Sequence, residues 1–153
     1  MKTSIGIKPE HLAQIAGDLQ KILADEYVLY TKTRKAHWNV EGPDFYNVHK
    51  FFEDQYGQLE QMIDDVAERI RTLGHFAQAT LKDFLAETHL SEVSKYKHDS
   101  EGLMNELLAD HETIIIKMRE MLHDYVDVGT ADFISNVIGK HEKMAWILRA
   151  HLK

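Results

Sequence analysis

Five candidate ligands for a transition metal are spread through residues 37 to 68 of the chain. They are His37, His49, Glu53, Asp64 and Glu68. Neutral imidazole and carboxylate donors suit Fe(II), Mn(II) or Zn(II), and the chain contains no cysteine that could supply a thiolate. The residue types therefore predict a site for a divalent transition metal.

The spacing of these residues indicates that they share one face of a helix. His49 and Glu53 are four residues apart, as are Asp64 and Glu68, so each pair lies on one helix face. Both pairs lie on the same face, because eleven residues, close to three turns, separate Glu53 from Asp64. At a rise of about 1.5 Å per residue the pairs are roughly 16 Å apart, too far to bind one metal ion together.

Two copies of the chain can bring the two pairs together. If the two helices pack antiparallel about a two-fold axis, residues 49 and 53 of one copy meet residues 68 and 64 of the other. Both pairings share a midpoint between Gln58 and Leu59, close to Gly57, and a two-fold contact creates two identical sites. Gly57 near this axis allows close approach; the alternative is an ordinary glycine that slightly destabilises its helix.

Long amphipathic helices must position these residues. The chain has 153 residues, 44% of them hydrophobic, and only two prolines and eight glycines. Apolar residues recur at helical spacing, which predicts helices over residues 9–37, 45–73, 80–87, 102–126 and 130–151. The apolar stripe expected for the second helix comprises Phe52, Tyr56, Leu59, Ile63, Ala67 and Ile70. We therefore expect a single all-α domain, a four-helix bundle with a short extra helix between the second and third long helices.

Turn and capping residues mark the predicted helix ends. Pro9 is favourable in a first turn, and Gly74 is a good stop for the second helix. Thr80 and Asp83 resemble a capping box at the start of the short helix. Thr130 is the expected N-cap of the last helix, with Asp132 in its first turn.

The charge of the chain favours cations over nucleic acid as partners. The formal net charge is −7 with neutral histidines, which repels phosphate groups. The small basic cluster of Lys32, Arg34 and Lys35 lacks interleaved aromatic residues, and neither end of the sequence carries a basic run. No apolar run of membrane-spanning length and no apolar signal segment is present, so we expect a cytoplasmic protein.

The other histidines receive a structural interpretation. His111 and His141 lie on or near apolar helix faces, where a hydrogen-bonded core histidine is expected. His75, His89 and His98 fall in the connection after the second helix and are predicted to be solvated. A single Glu-x-x-His spacing ends at His123, whereas iron sites inside one bundle use two such motifs, so that alternative is disfavoured.

The segment from His37 to Gly74 reads HWNVEGPDFYNVHKFFEDQYGQLEQMIDDVAERIRTLG. It resembles the signature of the Dps family, the dodecameric mini-ferritins of the ferritin-like superfamily, and the resemblance extends over essentially the whole chain. It implies a hollow shell of twelve subunits with a ferroxidase centre at each dimer interface. By motif position, one subunit would supply His37, His49 and Glu53, and its partner would supply Asp64 and Glu68.

The resemblance also implies the chemistry of the centre. Fe(II) would be oxidised preferentially by H₂O₂ and stored as an Fe(III) mineral, which would protect DNA from oxidative damage. Trp38 matches the family tryptophan proposed as an electron source; the alternative is an aromatic residue packed at a helix end. Glu53 departs from the aspartate more common in the family, although the donor type is kept.

Three further expectations accompany the resemblance. Asp127 and Asp132 are candidates for an acidic three-fold pore through which Fe²⁺ would enter, and the alternative is a solvated turn at 127 and a capping aspartate at 132. DNA-binding members often use lysine-rich terminal extensions, which this sequence lacks, so a DNA-compacting protein is the second hypothesis and nucleoid association would depend on it. A redox-inactive shell holding Zn(II) at the same ligands is the third.

Overall fold

Five helices form most of the protein in the computed structural model, which describes residues 3–92, 95, 97–123 and 125–153. The helices are α1 (Pro9–Asn39), α2 (Phe45–Thr72), α3 (Leu81–Glu87), α4 (Ser100–Leu122) and α5 (Val128–His151). The predicted all-α bundle with a short helix between its second and third long helices is confirmed. Within the described ranges, none of the helices combines the length and apolarity needed to cross a membrane.

The four long helices bury one continuous apolar core. α1 packs mainly against α2, and α4 packs mainly against α5, while α1 also contacts α3 and α4. The core of each long helix is formed by side chains that are at most 2% exposed, among them Leu19, Leu23, Leu29, Phe52, Leu59, Met62, Leu107, Ile114, Met118, Ile134 and Leu148. Burying each such side chain stabilises the bundle by about 1.5–3 kcal/mol.

The ends of the last two helices differ from the sequence prediction. α4 begins at Ser100 because the Asp99 carboxylate caps it, accepting a hydrogen bond from the Gly102 amide at 2.8 Å. α4 ends at Leu122 rather than at 126, and residue 124 lies outside the described residues. The prediction that Thr130 caps α5 is wrong, since the cap is Asp127, whose backbone is extended. The chain must therefore leave the α4 helix before residue 127.

The connection that carries α3 is fixed to α1 by buried polar contacts. The Asp25 carboxylate is 2% exposed and accepts hydrogen bonds from the Thr88 hydroxyl at 2.7 Å, the His89 amide at 2.6 Å and His89 Nδ1 at 2.8 Å. His89 is exposed, as predicted, although its Nδ1 pairs with Asp25. Thr80 and Asp83 form the predicted capping box at the start of α3.

A chain of three polar side chains crosses the middle of the bundle. His141 Nε2 lies 2.5 Å from Glu26 Oε1, and the Nδ1 atoms of His141 and His111 are 2.8 Å apart. All three side chains are fully buried. The expectation that His111 and His141 are hydrogen-bonded core histidines is confirmed. Burial, followed by the charge of His141, lowers the pKa of His111 well below its usual value of 6.5.

Candidate metal site

Two histidines meet where α1 ends and α2 begins. The connection between the helices turns sharply at Gly42, whose φ of +136° is a conformation that favours glycine. This turn brings His37, near the end of α1, against His49, one turn into α2. Their rings are stacked with centroids 3.7 Å apart. His37 is 8% exposed, so the pair lies at the edge of the core.

Reciprocal hydrogen bonds fix the orientation of both rings. His37 Nδ1 lies 2.8 Å from the backbone oxygen of His49, and His49 Nδ1 lies 2.8 Å from the backbone oxygen of His37. A carbonyl oxygen only accepts hydrogen bonds, so each Nδ1 must carry the proton. In the neutral imidazole each Nε2 then keeps a lone pair, which is the state required of a metal ligand.

Glu53 follows His49 by one helical turn and carries a negative charge beside the pair. Its Oε2 lies 2.6 Å from Lys50 Nζ. A hydrogen bond from Lys50, helped by the positive charge of Lys50, lowers the pKa of the Glu53 carboxyl. The carboxylate is therefore ionised at neutral pH and is held by a lysine rather than by the imidazoles.

One copy of the chain does not complete a metal site. Within the ranges that the structure describes, no three histidine, aspartate or glutamate side chains are gathered closely enough to hold a metal ion. Asp64 and Glu68 are exposed on α2 beyond Glu53. The structure therefore unites His37 and His49, places Glu53 next to them and leaves the other two predicted ligands apart, as the rise of the helix requires.

Asp64 faces an open groove between α1 and α2. The groove has a volume of about 540 Å³ and is lined by Tyr27, Tyr30, Gly57, Glu60, Gln61, Ile63, Asp64 and Ala67. A Cβ atom at Gly57 would meet no atom of another part of the single chain within 4 Å. The groove thus combines half-buried apolar side chains with a predicted metal ligand, and the packing of one chain leaves it uncovered.

Comparisons with known proteins agree with this architecture. The family model of the ferritin-like domain matches residues 17–153. DNA protection during starvation protein 2 of Bacillus anthracis is 34% identical, covering 91% of this chain and 97% of that protein. The DNA protection during starvation protein of Helicobacter pylori strain J99 is 35% identical, covering 88% of this chain and 95% of that protein. This chain belongs to the Dps family.

Solved structures of the Dps family have the same fold. The Dps protein from Vibrio cholerae O1, described as a ferritin-like diiron-carboxylate protein, superposes with a TM-score of 0.89 at 28% identity and covers 99% of this chain and 100% of that chain. The Mycobacterium smegmatis Dps in its tetragonal form gives a TM-score of 0.92 at 29% identity and covers 100% of this chain and 95% of that one. The fold therefore matches over nearly the whole length of the chain.

A cluster of aromatic side chains around Arg34 borders the histidine pair in this Dps-family chain. The Arg34 guanidinium lies 4.6 Å from the ring centroid of Tyr56 and 5.1 Å from that of Trp38. Arg34 Nη1 also donates a hydrogen bond of 2.8 Å to the Tyr30 hydroxyl. Trp38 is 64% exposed, so in the single chain it is not packed into the bundle.

The two predicted pore residues of this Dps-family chain lie in different surroundings. Asp127 Oδ2 accepts hydrogen bonds from the Thr130 amide at 2.9 Å and from Arg69 at 3.2 Å. Burial opposes ionisation of Asp127, but its bonds to Thr130 and Gly129 and the charge of Arg69 outweigh it and lower the pKa. Asp132 is exposed at the edge of a surface cavity of about 410 Å³.

Three features of the site were missed from the sequence. Lys50 holds Glu53, and its position three residues earlier on a helix was a usable signal. The reciprocal hydrogen bonds from each histidine ring to the backbone oxygen of the other histidine depend on the geometry of the connection between α1 and α2. The spacing of the residues in the sequence does not reveal them. The contacts of Tyr56 with Arg34 and with His37 were also missed, because the sequence analysis assigned Tyr56 only to the apolar stripe of the second helix.

Proposed function

We propose that this Dps-family protein oxidises Fe(II) at centres shared between two copies of the chain and stores the product as an Fe(III) mineral. The observation that carries the proposal is the histidine pair, in which backbone bonds leave the Nε2 atoms of His37 and His49 free beside an ionised Glu53. Imidazole and carboxylate donors fit Fe(II), which is the substrate of the reaction.

The second half of each centre would come from the neighbouring copy. An antiparallel contact of two α2 helices about an axis near Gly57 brings Asp64 and Glu68 of one copy to the histidines of the other. The open groove beside Gly57 supports this arrangement, because it leaves room for a second helix and carries Asp64 at its edge. The incomplete ligand set of the single chain is then a consequence of assembly.

In the proposed reaction Fe(II) reduces peroxide without releasing a radical. Two Fe(II) ions at one centre each give one electron, the O–O bond of H₂O₂ breaks, and both oxygen atoms end as water or hydroxide. The chain contributes oriented donors that favour Fe(III), while the iron and peroxide provide the redox chemistry. Hydrolysed Fe(III) would collect inside a dodecameric shell, with Trp38 beside each centre as an electron source and Asp132 near an entry pore.

The function of the relatives is consistent with this chemistry. Proteins named for DNA protection would protect DNA if they removed Fe(II) and peroxide, the two reactants that otherwise yield hydroxyl radical. A direct contact with DNA has less support here, because the net charge of −7 opposes binding to phosphates.

A complementation experiment tests both the activity and the sharing of the site. Fe(II) is loaded anaerobically, and its oxidation by H₂O₂ and by O₂ is followed by stopped flow. His37→Ala and Asp64→Ala should each lower the rate to that of free iron, whereas Asp54→Ala, an exposed carboxylate on the same helix, should not. A dimer containing one copy of each inactive variant keeps one intact centre, so random co-assembly should restore about a quarter of the centres.

Two results would contradict the proposal. Wild-type oxidation no faster than free iron would exclude a ferroxidase and leave a shell that binds a redox-inactive metal such as Zn(II). Full loss in the variants without recovery on co-assembly would place all ligands in one copy.

A further inference from the structure

Three tyrosines form a continuous line of ring contacts that starts at the histidine pair. The ring of Tyr56 stands edge-on to His37 with centroids 5.2 Å apart. Tyr56 meets Tyr30 at 6.1 Å, again edge-on, and Tyr30 meets Tyr27 at 6.0 Å. All three tyrosines are half-buried. Such edge-to-face contacts lie in the range of favourable aromatic pairs.

We propose that Tyr56, Tyr30 and Tyr27 are an electron path that serves the iron centre. The inference rests on the proposed function, because it needs Fe(II) and H₂O₂ at the histidine pair. Phenols and indoles are the side chains that release a single electron most readily in a chain without cysteine. Tyr56 is the first of them in contact with a predicted ligand, His37.

The path leads away from the centre and toward the groove. Tyr30 and Tyr27 line the groove between α1 and α2, where Asp64 also lies. In the proposed dimer Asp64 belongs to the other centre, so the tyrosines of one copy lie between the two centres. Trp38 is separate from this line, since it touches Arg34 on the exposed side of α1.

When a centre holds only one Fe(II), the path supplies the second electron that the reduction of peroxide requires. Fe(II) supplies one electron and the Tyr56 phenol supplies the other, together with its proton. The O–O bond breaks, and with one further proton from solvent two waters form, leaving Fe(III) and a tyrosyl radical. The radical passes to Tyr30 or Tyr27, and Fe(II) arriving at either centre returns the electron while solvent returns the proton.

Arg34 orders the first two members of the path. Its guanidinium stacks on Tyr56 at 4.6 Å, and it donates a hydrogen bond to the Tyr30 hydroxyl. One residue therefore holds both rings in their contact. A Tyr→Phe substitution keeps the ring and its stacking while it removes the oxidisable hydroxyl, which separates a redox role from a packing role.

The test uses less than one Fe(II) per centre, followed by H₂O₂ and rapid freezing for electron paramagnetic resonance. The organic radical signal of wild-type protein made with ring-deuterated tyrosine should be narrower than that of unlabelled wild-type protein, which identifies a tyrosyl radical. Tyr56→Phe should lose most of this signal, and it should release more hydroxyl radical to a spin trap than the wild type does. Tyr125→Phe, at the α4–α5 connection, is the matched control and should behave as wild type.

The outcomes distinguish this inference from the function on which it rests. Normal Fe(II) oxidation with no tyrosyl signal, or with a signal unchanged in the Tyr56→Phe, Tyr30→Phe double variant, would overturn the electron path alone. A signal narrowed only by deuterated tryptophan would assign the electron to Trp38 and also overturn it. Failure of the wild type to oxidise Fe(II) faster than free iron would overturn both.

Discussion

Single hydrogen bonds decide whether His37 and His49 can act as ligands. An imidazole free in solution exchanges its proton between two nitrogens, whereas here each Nδ1 is committed to a carbonyl 2.8 Å away. The stacked rings then present both Nε2 atoms without a further conformational change. Such outer bonds commonly strengthen metal binding by orienting the ligand and raising its basicity.

In the proposed centre Lys50 competes with metal for Glu53, and its removal should strengthen Fe(II) binding. Lys50→Ala removes both the 2.6 Å contact to the Glu53 carboxylate and a positive charge beside the centre. Because exposed ion pairs of this kind are weak, the expected gain in affinity is at most about five-fold. Anaerobic calorimetric titration with Fe(II) measures it.

Lys117 provides the matched control for this prediction. It pairs with Glu120 at 2.8 Å with the same three-residue spacing on α4. Lys117→Ala should therefore leave Fe(II) affinity unchanged. An equal gain in both variants would show that net charge, and not the release of Glu53, controls the affinity.

His111 should make the protein less stable in mild acid. Burial keeps its pKa well below 6.5, so below that pH the unfolded chain binds a proton that the folded chain does not. This contribution to stability is complete above pH 6.5 and is lost as the pH falls toward the lower folded-state pKa. The free energy of unfolding should fall by up to about 1.4 kcal/mol per pH unit for one proton.

Urea unfolding between pH 7 and pH 5, at fixed protein concentration, tests this dependence. His111→Gln should give a shallower slope, because glutamine does not titrate. His151→Gln replaces an exposed histidine at the end of α5 and should keep the wild-type slope. An unchanged slope in His111→Gln would assign the acid sensitivity to other groups.

At the scale of the elements, α2 shows what the sequence could and could not predict. The helix and its bounds, Phe45–Thr72, lie within one residue of the expected range of 45–73. Its apolar stripe was partly wrong, because the core-facing residues are Val48, Phe52, Gln55, Leu59, Met62, Val66 and Ile70. These recur at steps of three or four residues, which keep them on one face of the helix.

The predicted stripe mixed two faces that serve different purposes. Tyr56, Ile63 and Ala67 are only half-buried, and the latter two line the groove beside Gly57. Hydrophobicity alone cannot separate a residue buried in its own bundle from one available to a neighbouring copy. For the same reason the spacing of the ligands predicted a shared site, while the arrangement of His37 and Tyr56 had to come from the structure.

Asp127 connects helix capping with the junction of α2 and α5. Asp127→Ala removes the cap of α5 and the contact with Arg69, so the free energy of unfolding should fall by about 1–2 kcal/mol. Asp132→Ala, on an exposed carboxylate in the first turn of α5, should change it by less than about 0.5 kcal/mol. Urea denaturation of both variants is the measurement.

The same pair of variants separates capping from iron entry. If Asp132 lines a pore, Asp132→Ala should slow iron uptake while stability stays unchanged. Equal stability of Asp127→Ala and wild type would contradict the capping role.

For the whole molecule, the proposed site requires a second copy of the chain. Tyr30 and Ile63 are half-buried on the groove, and Asp64 is exposed there, so the single bundle leaves both apolar surface and a ligand without cover. Contact with another copy of the chain would bury the apolar surface and would bring Asp64 into the proposed centre. Assembly and activity should therefore be lost together when the contact is blocked.

Gly57→Leu should block that contact without unfolding the bundle. A Cβ atom at this position would meet no atom of another part of the chain within 4 Å, and leucine favours the helix over glycine by roughly 0.5–1 kcal/mol, so the single chain should remain folded. At the proposed two-fold axis, however, two leucines would face each other where two glycines allow close approach. Light scattering should show a species of about 17.7 kDa instead of the proposed dodecamer, and Fe(II) oxidation should fall to the rate of free iron.

Gly139→Leu makes the equivalent change at another exposed helix glycine with open space around it. It should gain the same helix propensity and keep both assembly and oxidation. Circular dichroism of Gly57→Leu must still report a helical protein, because loss of the fold would remove activity for a different reason. A folded Gly57→Leu variant that still assembles and oxidises iron would place the contact elsewhere, and with it the origin of Asp64 and Glu68 in the centre.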